Sequence, residues 1–189
     1  MSSTESMFTS EDRAALLQLA RQSVEQGLAG DRQSPTTEDY SIMLRDPGAS
    51  FVTLKLDNRL RGCIGSLEAR QPLLIDVFEN AYAAAFRDTR FPRLQKTELD
   101  QLDFHISVLT TPQPMHFESE RDLLAQLRPQ VDGLIIEEGY RRGTFLPAVW
   151  ESLPQPEQFL AQLKLKAGLP AGYWSEQIRI SRYTCESIP

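Results

Sequence analysis

Cys63 is the residue of this sequence whose surroundings most favour chemistry, because an arginine and two glycines lie within two positions of it. The run reads Leu60-Arg61-Gly62-Cys63-Ile64-Gly65. A neighbouring cation favours the thiolate, which is the reactive form of cysteine. Alternation along a strand places Arg61 and Cys63 on one face. The sequence therefore predicts that these two residues line one pocket, in which Cys63 is a catalytic nucleophile or a redox-active thiol.

The two glycines of this run extend the predicted site. Because they have no side chain, Gly62 and Gly65 allow the backbone to approach a ligand closely or to turn tightly. We therefore predict that Arg61, Gly62 and Gly65 contact the substrate. The alternative is packing, since cysteine is among the residue types most often buried and glycines also make room for a neighbouring helix. The residues alone leave both interpretations open.

A reactive Cys63 needs a proton acceptor, and the sequence places none beside it. His105 and His116 are the two histidines of the chain. A Cys-His pair requires one of them to lie close to Cys63 in the fold. His105 lies on the polar side of a predicted strand and is the better candidate, whereas His116 is typical of a surface loop.

Three arginines occur within seven residues after the predicted end of a helix. The segment reads Arg87-Asp88-Thr89-Arg90-Phe91-Pro92-Arg93. Guanidinium groups bind carboxylates and phosphates through two parallel hydrogen bonds. We therefore predict that Arg87 and Arg90 bind a small anionic ligand and that Asp88 fixes one arginine by pairing with it. The alternative is that these arginines only complement the helix dipole.

The composition argues against several classes of function. The net charge of −6 is unfavourable for broad nucleic-acid binding, which draws on an excess of Lys and Arg. No zinc-binding spacing, phosphate-binding loop or dinucleotide fingerprint is present, so we expect no metal and no cofactor. No apolar run approaches the roughly 20 residues of a membrane helix, and we find no secretory signal. We expect a cytoplasmic protein with reduced thiols.

Hydrophobic periodicity predicts that helices and strands are interleaved along the 189 residues. The predicted helices follow a capping box at Thr9 and Asp12, Gln71-Pro72, a second capping box at Ser119 and Asp122, and Pro156. The predicted strands are residues 51–56, 60–67, 102–108, 133–137 and 144–146, the last two around a turn at 139–143, with a final strand near Ile178 and Ile180. Because hairpins are frequent, we predict an α+β fold with a mixed, largely antiparallel sheet and flanking helices.

Several runs match one known family together, in order and in spacing. Besides the run around Cys63, they are Phe51-Val52-Thr53-Leu54, the stretch from Asn80 to Pro92, Asp132-Gly133-Leu134, Phe145-Leu146-Pro147 and Lys166-Ala167-Gly168-Leu169. The chain thereby resembles the AMMECR domain, over roughly residues 10 to 185. We treat residues 1–189 as a single domain of this type, with two subdomains as the resemblance implies.

The resemblance carries expectations about fold and partners. It implies a larger α/β portion and a smaller portion made from a discontinuous stretch of chain. It also implies association with a Memo-like protein and a radical S-adenosylmethionine protein. We therefore interpret the chain as an enzyme, or a subunit of an enzyme system, that acts on a small anionic substrate around Arg61 and Cys63. The alternative is a non-catalytic binding or scaffold module for those partners.

Overall fold

The computed structural model describes residues 6–189 of the chain. The α-helices of this range are α1 (Ser10–Ala29), α2 (Ile42–Arg45), α3 (Leu73–Phe86), α4 (Glu120–Gln126) and α5 (Pro156–Lys166). Its strands are β1 (Pro47–Leu56), β2 (Arg59–Gly65), β3 (Gln71–Pro72), β4 (Leu102–Leu109), β5 (Gln113–Pro114), β6 (Gly133–Glu138), β7 (Arg141–Phe145), β8 (Arg179–Tyr183) and β9 (Cys185–Ile188). The predicted α+β class is confirmed.

The chain divides into two compact units. Of the described residues, unit 1 comprises 6–109 and Glu186–Pro189, and unit 2 comprises Thr110–Cys185. The expectation of a smaller discontinuous portion is therefore wrong, because the smaller unit is one continuous stretch and the larger unit is interrupted. The physical reason is β9, a short C-terminal strand that the sequence did not predict. It joins the sheet of unit 1 next to β4.

Unit 1 is built on a sheet with the strand order β2-β1-β4-β9, with β3 paired to the start of β1. Strand β1 pairs antiparallel with both β2 and β4. Helix α3 packs against β1 and β2, and α1 packs against α3. Between these elements lie large apolar side chains that are fully buried, among them Leu16, Val24, Val52, Leu54, Val77, Phe78 and Ile106. Removal of this apolar surface from water is the main contribution to the stability of the unit.

Helix α1 begins and ends where the sequence predicts. The Thr9 hydroxyl accepts a hydrogen bond from the Asp12 N–H at 3.1 Å, and the Asp12 carboxylate accepts one from the Thr9 N–H at 3.1 Å. This is the predicted capping box, which satisfies two N–H groups that have no partner within the helix. At the other end Gly30 adopts φ of 77°, a conformation that is accessible to glycine without strain.

The β1–β2 hairpin contains an irregularity that determines which side chains face each other. Its turn consists of Asp57 and Asn58, both with positive φ, as a tight two-residue hairpin turn requires. Beyond the turn Lys55 pairs with Leu60, but Leu54 pairs with Gly62. The residue between them, Arg61, is therefore the extra residue of a β-bulge, which interrupts the regular alternation of side chains.

Unit 2 contains a second antiparallel sheet, with the order β5-β8-β6-β7. Its core includes the indole of Trp150, which stacks on Phe159 with the ring centroids 3.7 Å apart. The indole N–H donates a hydrogen bond to the backbone oxygen of Asp132 at 2.7 Å. The predicted turn at 139–143 is too long, because β6 ends at Glu138 and β7 begins at Arg141. Gly139 adopts φ of 59°, so two residues suffice to reverse the chain.

Candidate functional site

Cys63 lies on β2, an edge strand of the sheet in unit 1, and the loop that follows α3 forms hydrogen bonds with its backbone. The Cys63 N–H donates a hydrogen bond to Oδ2 of Asp88 at 2.9 Å. The Cys63 carbonyl oxygen accepts one from Nη2 of Arg90 at 3.2 Å. These two groups would otherwise be unpaired at the open edge of the sheet. The loop therefore fixes the backbone position of the cysteine.

Asp88 and Arg90 form a tightly bonded pair at this edge. The carboxylate of Asp88 is buried and accepts hydrogen bonds from Nε and Nη2 of Arg90, at 3.0 and 2.7 Å. The hydrogen bond from Arg90 is the largest influence on Asp88 and holds the pKa of its carboxyl well below its usual range. The sequence predicted that Asp88 fixes an arginine by pairing, and this ion pair confirms it.

The thiol of Cys63 is half-buried and is not part of a disulfide. Its Sγ lies 3.2 Å from Oγ1 of Thr53 on β1, within hydrogen-bonding distance. It also interacts electrostatically with Arg90, whose side chain is 56% exposed. The second cysteine differs, because burial raises the pKa of the Cys185 thiol to about 12. Thiolate formation at neutral pH is therefore strongly disfavoured at Cys185.

Arg61 is engaged elsewhere. Its Nε and Nη2 donate hydrogen bonds to the two carboxylate oxygens of Glu98, at 2.8 and 3.1 Å. This bidentate pair lowers the pKa of Glu98. Within residues 6–189, no hydrogen bond or ion pair joins Arg61 to Cys63, and the bulge at Arg61 removes the alternation from which a shared face was predicted. No bond therefore joins these two side chains, and their shared pocket stays a prediction.

The two glycines of the run lie against other parts of unit 1. A Cβ atom on Gly62 would lie 2.1 Å from the backbone oxygen of Ala84 in α3. A Cβ atom on Gly65 would lie 2.2 Å from the aromatic ring of Phe51. Both distances are far below van der Waals contact. Their contacts therefore favour close packing of the helix and of the aromatic ring, and ligand contact by either glycine stays a prediction.

Comparison with known proteins places this run in a family. The family model for AMMECR1 matches residues 17–188. This chain belongs to the AMMECR1 family. A family member from Methanothermobacter thermautotrophicus is 36% identical over 182 residues, which is 93% of each chain. One from Methanocaldococcus jannaschii is 35% identical over 188 residues, or 95% of this chain and 90% of the relative.

A crystal structure supports the same fold for this AMMECR1-family chain. It is that of an uncharacterised protein from Pyrococcus horikoshii, which superposes with a TM-score of 0.85 at 32% sequence identity. The superposition covers 95% of this chain and 92% of the other. The likeness therefore includes most of the residues of both units.

The arginines that the sequence singled out separate into two groups. Arg90 is brought to Cys63, as described above. Arg87 ends α3 and is exposed, and its guanidinium lies 5.1 Å from the centroid of the Tyr82 ring in a cation–π arrangement. Among the described residues, no hydrogen bond or ion pair joins Arg87 to Cys63, and its role in anion binding stays a prediction.

The sequence did not predict which side chains contact Cys63. Thr53 contacts the thiol and Asp88 contacts the backbone N–H. The arginine-rich segment around Asp88 indicated a binding site, but it did not indicate a bond from Asp88 to Cys63, which lies 25 residues away in the sequence. Thr53 was indicated only by its position on the neighbouring strand of the predicted hairpin, which does not fix the residue that it faces.

A cavity of about 490 Å³ begins at Gly65, two residues beyond Cys63. Its lining includes Ser66, Gln71 and the buried carboxylate of Asp76. The Ser66 hydroxyl donates to Oδ1 of Asp76 at 2.8 Å. Volumes of roughly 300–1,000 Å³ are typical of small-molecule sites. Within residues 6–189, no cluster of three or more His, Cys, Asp or Glu side chains is arranged to hold a metal ion.

None of the helices in the described part of the chain is long and apolar enough to cross a membrane. The longest of them, α1, has 20 residues but carries charged side chains such as Glu11, Arg13 and Arg21 along its length. Burial of those charges in a bilayer core would be costly.

Proposed function

We propose that Cys63 and Arg90 form a thiol site for a small anionic molecule, and that the chain acts as an enzyme or as a subunit of an enzyme system. The observation that carries this proposal is the bond from Arg90 to the Cys63 carbonyl at 3.2 Å. It holds a half-exposed guanidinium beside a half-buried thiol. In this form Arg90 replaces Arg61 as the anion-binding residue, because the side chain of Arg61 is only 10% exposed, whereas that of Arg90 is 56% exposed.

The guanidinium of Arg90 has the donors that this role requires. Two of its nitrogens, Nε and Nη2, are bound by Asp88. Among the described residues no hydrogen bond involves its remaining nitrogen, Nη1. We expect a carboxylate or phosphate that binds there to cover the Cys63 thiol, because the same guanidinium is bonded to the Cys63 carbonyl oxygen. Since the ion pair with Asp88 restricts the guanidinium, little additional ordering is needed when a ligand binds.

A cavity further along β2, whose lining includes Gly65 but not Cys63 or Arg90, is large enough for a small ligand. The cavity at Gly65 has about 490 Å³ and begins two residues from Cys63 along β2. Its polar lining residues, including Ser66 and Gln71, offer hydrogen bonds to uncharged parts of a substrate. The proposed reaction takes place in the cytoplasm, where thiols stay reduced.

Protection from alkylation tests this proposal. Cys63 is labelled with neutral iodoacetamide at pH 8 while inorganic phosphate, acetate or malonate is titrated, and the rate is followed by mass spectrometry. We expect at least one anion to slow the labelling in a saturable way, by about five-fold or more, because it covers the thiol. Arg90→Gln should abolish this protection. Arg87→Gln is the matched control, since Arg87 lies over Tyr82, and it should keep the protection.

Protection that persists in Arg90→Gln contradicts the assignment of Arg90. Labelling of Cys185 in the same samples serves as an internal reference, because burial raises the pKa of its thiol. Its labelling should stay slow and independent of the anion. A parallel rise at both cysteines would indicate unfolding of the variant, and a thermal unfolding curve identifies that case.

A second candidate function is a non-catalytic binding or scaffold module for a Memo-like and a radical S-adenosylmethionine protein. One observation favours it. Among the described residues, the side-chain hydrogen-bonding group in contact with the Cys63 thiol is the hydroxyl of Thr53, and no base touches the sulfur. Co-purification with either partner that survives Cys63→Ser, together with full pathway activity of that variant, would favour the module over the thiol site.

A further inference from the structure

Cys63 belongs to a row of three polar side chains that crosses the sheet of unit 1. On β1 the residue opposite Cys63 is Thr53, and on β4 the residue opposite Thr53 is His105. Directly opposed residues of neighbouring strands point to the same face of a sheet. Cys63, Thr53 and His105 therefore lie side by side on one face. The other face carries Leu54, Gly62 and Ile106 and packs against α3.

The hydrogen-bonding pattern sets the spacing within this row. The N–H and C=O of Cys63 point outward to Asp88 and Arg90, so Cys63 and Thr53 form a pair without mutual backbone hydrogen bonds. Side chains are closest in such pairs, with Cα atoms about 4.5 Å apart. The backbone groups of Thr53 then point to β4, which makes Thr53 and His105 a hydrogen-bonded pair, with Cα atoms about 5.5 Å apart. No hydrogen bond joins the two side chains among the described residues, and we infer that rotation of the His105 side chain brings a ring nitrogen to the threonine hydroxyl.

We propose that Thr53 and His105 form a proton path from the Cys63 thiol, in which His105 is the proton acceptor and the Thr53 hydroxyl is the link. The inference deepens the proposed function, since it rests on a reactive Cys63 and names the base that the thiol requires. The Cys63 S–H gives its proton to Oγ1 of Thr53 while the Thr53 O–H proton moves to a ring nitrogen of His105. The products are a thiolate, a neutral hydroxyl and an imidazolium, so charge and protons balance.

The surroundings of His105 leave its imidazole available for this role. His105 is half-buried, and no hydrogen bond or ion pair to it occurs among residues 6–189. The charged side chains on the same sheet face are Lys55 of β1 and Asp103 of β4, which are opposed to each other. Arg90 lies at the far end of the row beside Cys63. On the other side, β9 carries Cys185 and Glu186, and Glu186 is bound by Arg13.

The proton path makes a prediction that a purely structural threonine and histidine do not. Histidine side chains change charge between pH 5 and 8, and a thiolate reacts far faster than a thiol. We therefore expect the alkylation rate of Cys63 with iodoacetamide to contain a step between pH 5 and 8. His105→Gln should remove this step and lower the rate at pH 7 by roughly ten-fold. His116→Gln is the matched control, and its profile should coincide with that of the unmodified protein.

Two variants of Thr53 test the link itself. Thr53→Val keeps the shape of the side chain and removes the hydroxyl, so its profile should resemble that of His105→Gln. Thr53→Ser keeps the hydroxyl and should retain the step. An unchanged profile in His105→Gln overturns the proposal, and so does an unchanged profile in Thr53→Val. Unfolding curves of all four variants identify any loss of fold, and His105→Asn provides a smaller substitute if His105→Gln is unstable.

The proton path and the anion site can be contradicted independently of each other. Iodoacetamide is neutral and needs no Arg90, so the pH profile reports the proton path alone. Protection by anions reports the binding site alone. If protection is lost with Arg90 but the His105 step is absent, the anion site stands and the proton path is wrong. If the His105 step is present but no anion protects Cys63, the proton path stands and the anion site is wrong.

Discussion

Replacing Gly62 with alanine is expected to lower the free energy of unfolding by about 3 kcal/mol, the upper end of what overpacking usually costs. The added Cβ would lie 2.1 Å from the backbone oxygen of Ala84 and 3.0 Å from its carbonyl carbon. Because the obstacle is helix backbone, no side-chain rotation relieves it, and α3 must move away from β2. That movement also opens the core at Leu54 and Phe78. Urea unfolding monitored by circular dichroism measures the change.

Gly172→Ala provides the matched control for this prediction. A Cβ atom at Gly172 meets no heavy atom within 4 Å. Its substitution should change the free energy of unfolding by less than about 1 kcal/mol, and a small gain is possible because alanine restricts the unfolded chain. Equal effects of the two substitutions would contradict the conclusion that Gly62 is required for the close approach of β2 to α3.

Removal of the Asp88 carboxylate is the second change with a large expected effect. Asp88→Ala leaves the Cys63 N–H without its acceptor and Arg90 without its partner at an edge that the loop covers. An orphaned buried donor and a broken partly buried ion pair together cost about 3 kcal/mol. Asp88→Asn should cost less, because an amide oxygen still accepts the Cys63 hydrogen bond. Chemical denaturation at pH 7 orders the three proteins.

The pH dependence of this effect follows from the lowered pKa of Asp88. A carboxyl group whose pKa is lower in the folded state stabilises the fold above the unfolded pKa, about 3.9 for aspartate, and loses that contribution as the pH falls towards the folded value. The difference in stability between the unmodified protein and Asp88→Asn should therefore be constant from pH 7 to about 5 and shrink below about 4. Asp31→Asn, at an exposed position, is the control and should show no such trend.

Much of unit 1 follows from local signals in the sequence. The capping box at Thr9 and Asp12 and the glycine at position 30 determine where α1 begins and ends. Regular alternation along residues 102–108 predicts β4, because every second side chain, such as Ile106, must enter the core. The alanines of α3 predict close packing on a sheet, and the contact between Gly62 and Ala84 shows that packing.

The partners of Cys63 could not be predicted in the same way, because they depend on register. With an unbroken ladder from the pair Leu56–Arg59, Thr53 would face Gly62. The bulge at Arg61 shifts the register by one residue and places Thr53 opposite Cys63. No propensity marks that position as a bulge. The pairing of Arg61 with Glu98 could not be predicted from local sequence either, since the two residues are 37 positions apart.

The C-terminal strand shows the same dependence on tertiary structure. Strand β9 has only four residues, Cys185–Ile188. Only one of them, Ile188, is fully buried. Such a short segment has too few alternations to indicate a strand. Its pairing with the sheet of unit 1 comes from the completed fold. Through β9 the larger unit is discontinuous in sequence, rather than the smaller one that the resemblance implied.

Charge-selective alkylation measures most directly whether Arg90 gives the Cys63 thiol an anion-selective environment. The rate of Cys63 alkylation by anionic iodoacetate is divided by the rate with neutral iodoacetamide, at low salt, so that changes in thiol reactivity cancel. A close cation contributes about 1 kcal/mol to the approach of an anion. We predict that Arg90→Gln lowers this ratio about five-fold, whereas Arg90→Lys and Arg87→Gln stay within two-fold of the unmodified protein. An unchanged ratio in Arg90→Gln, or an equal fall in Arg87→Gln, would contradict the account.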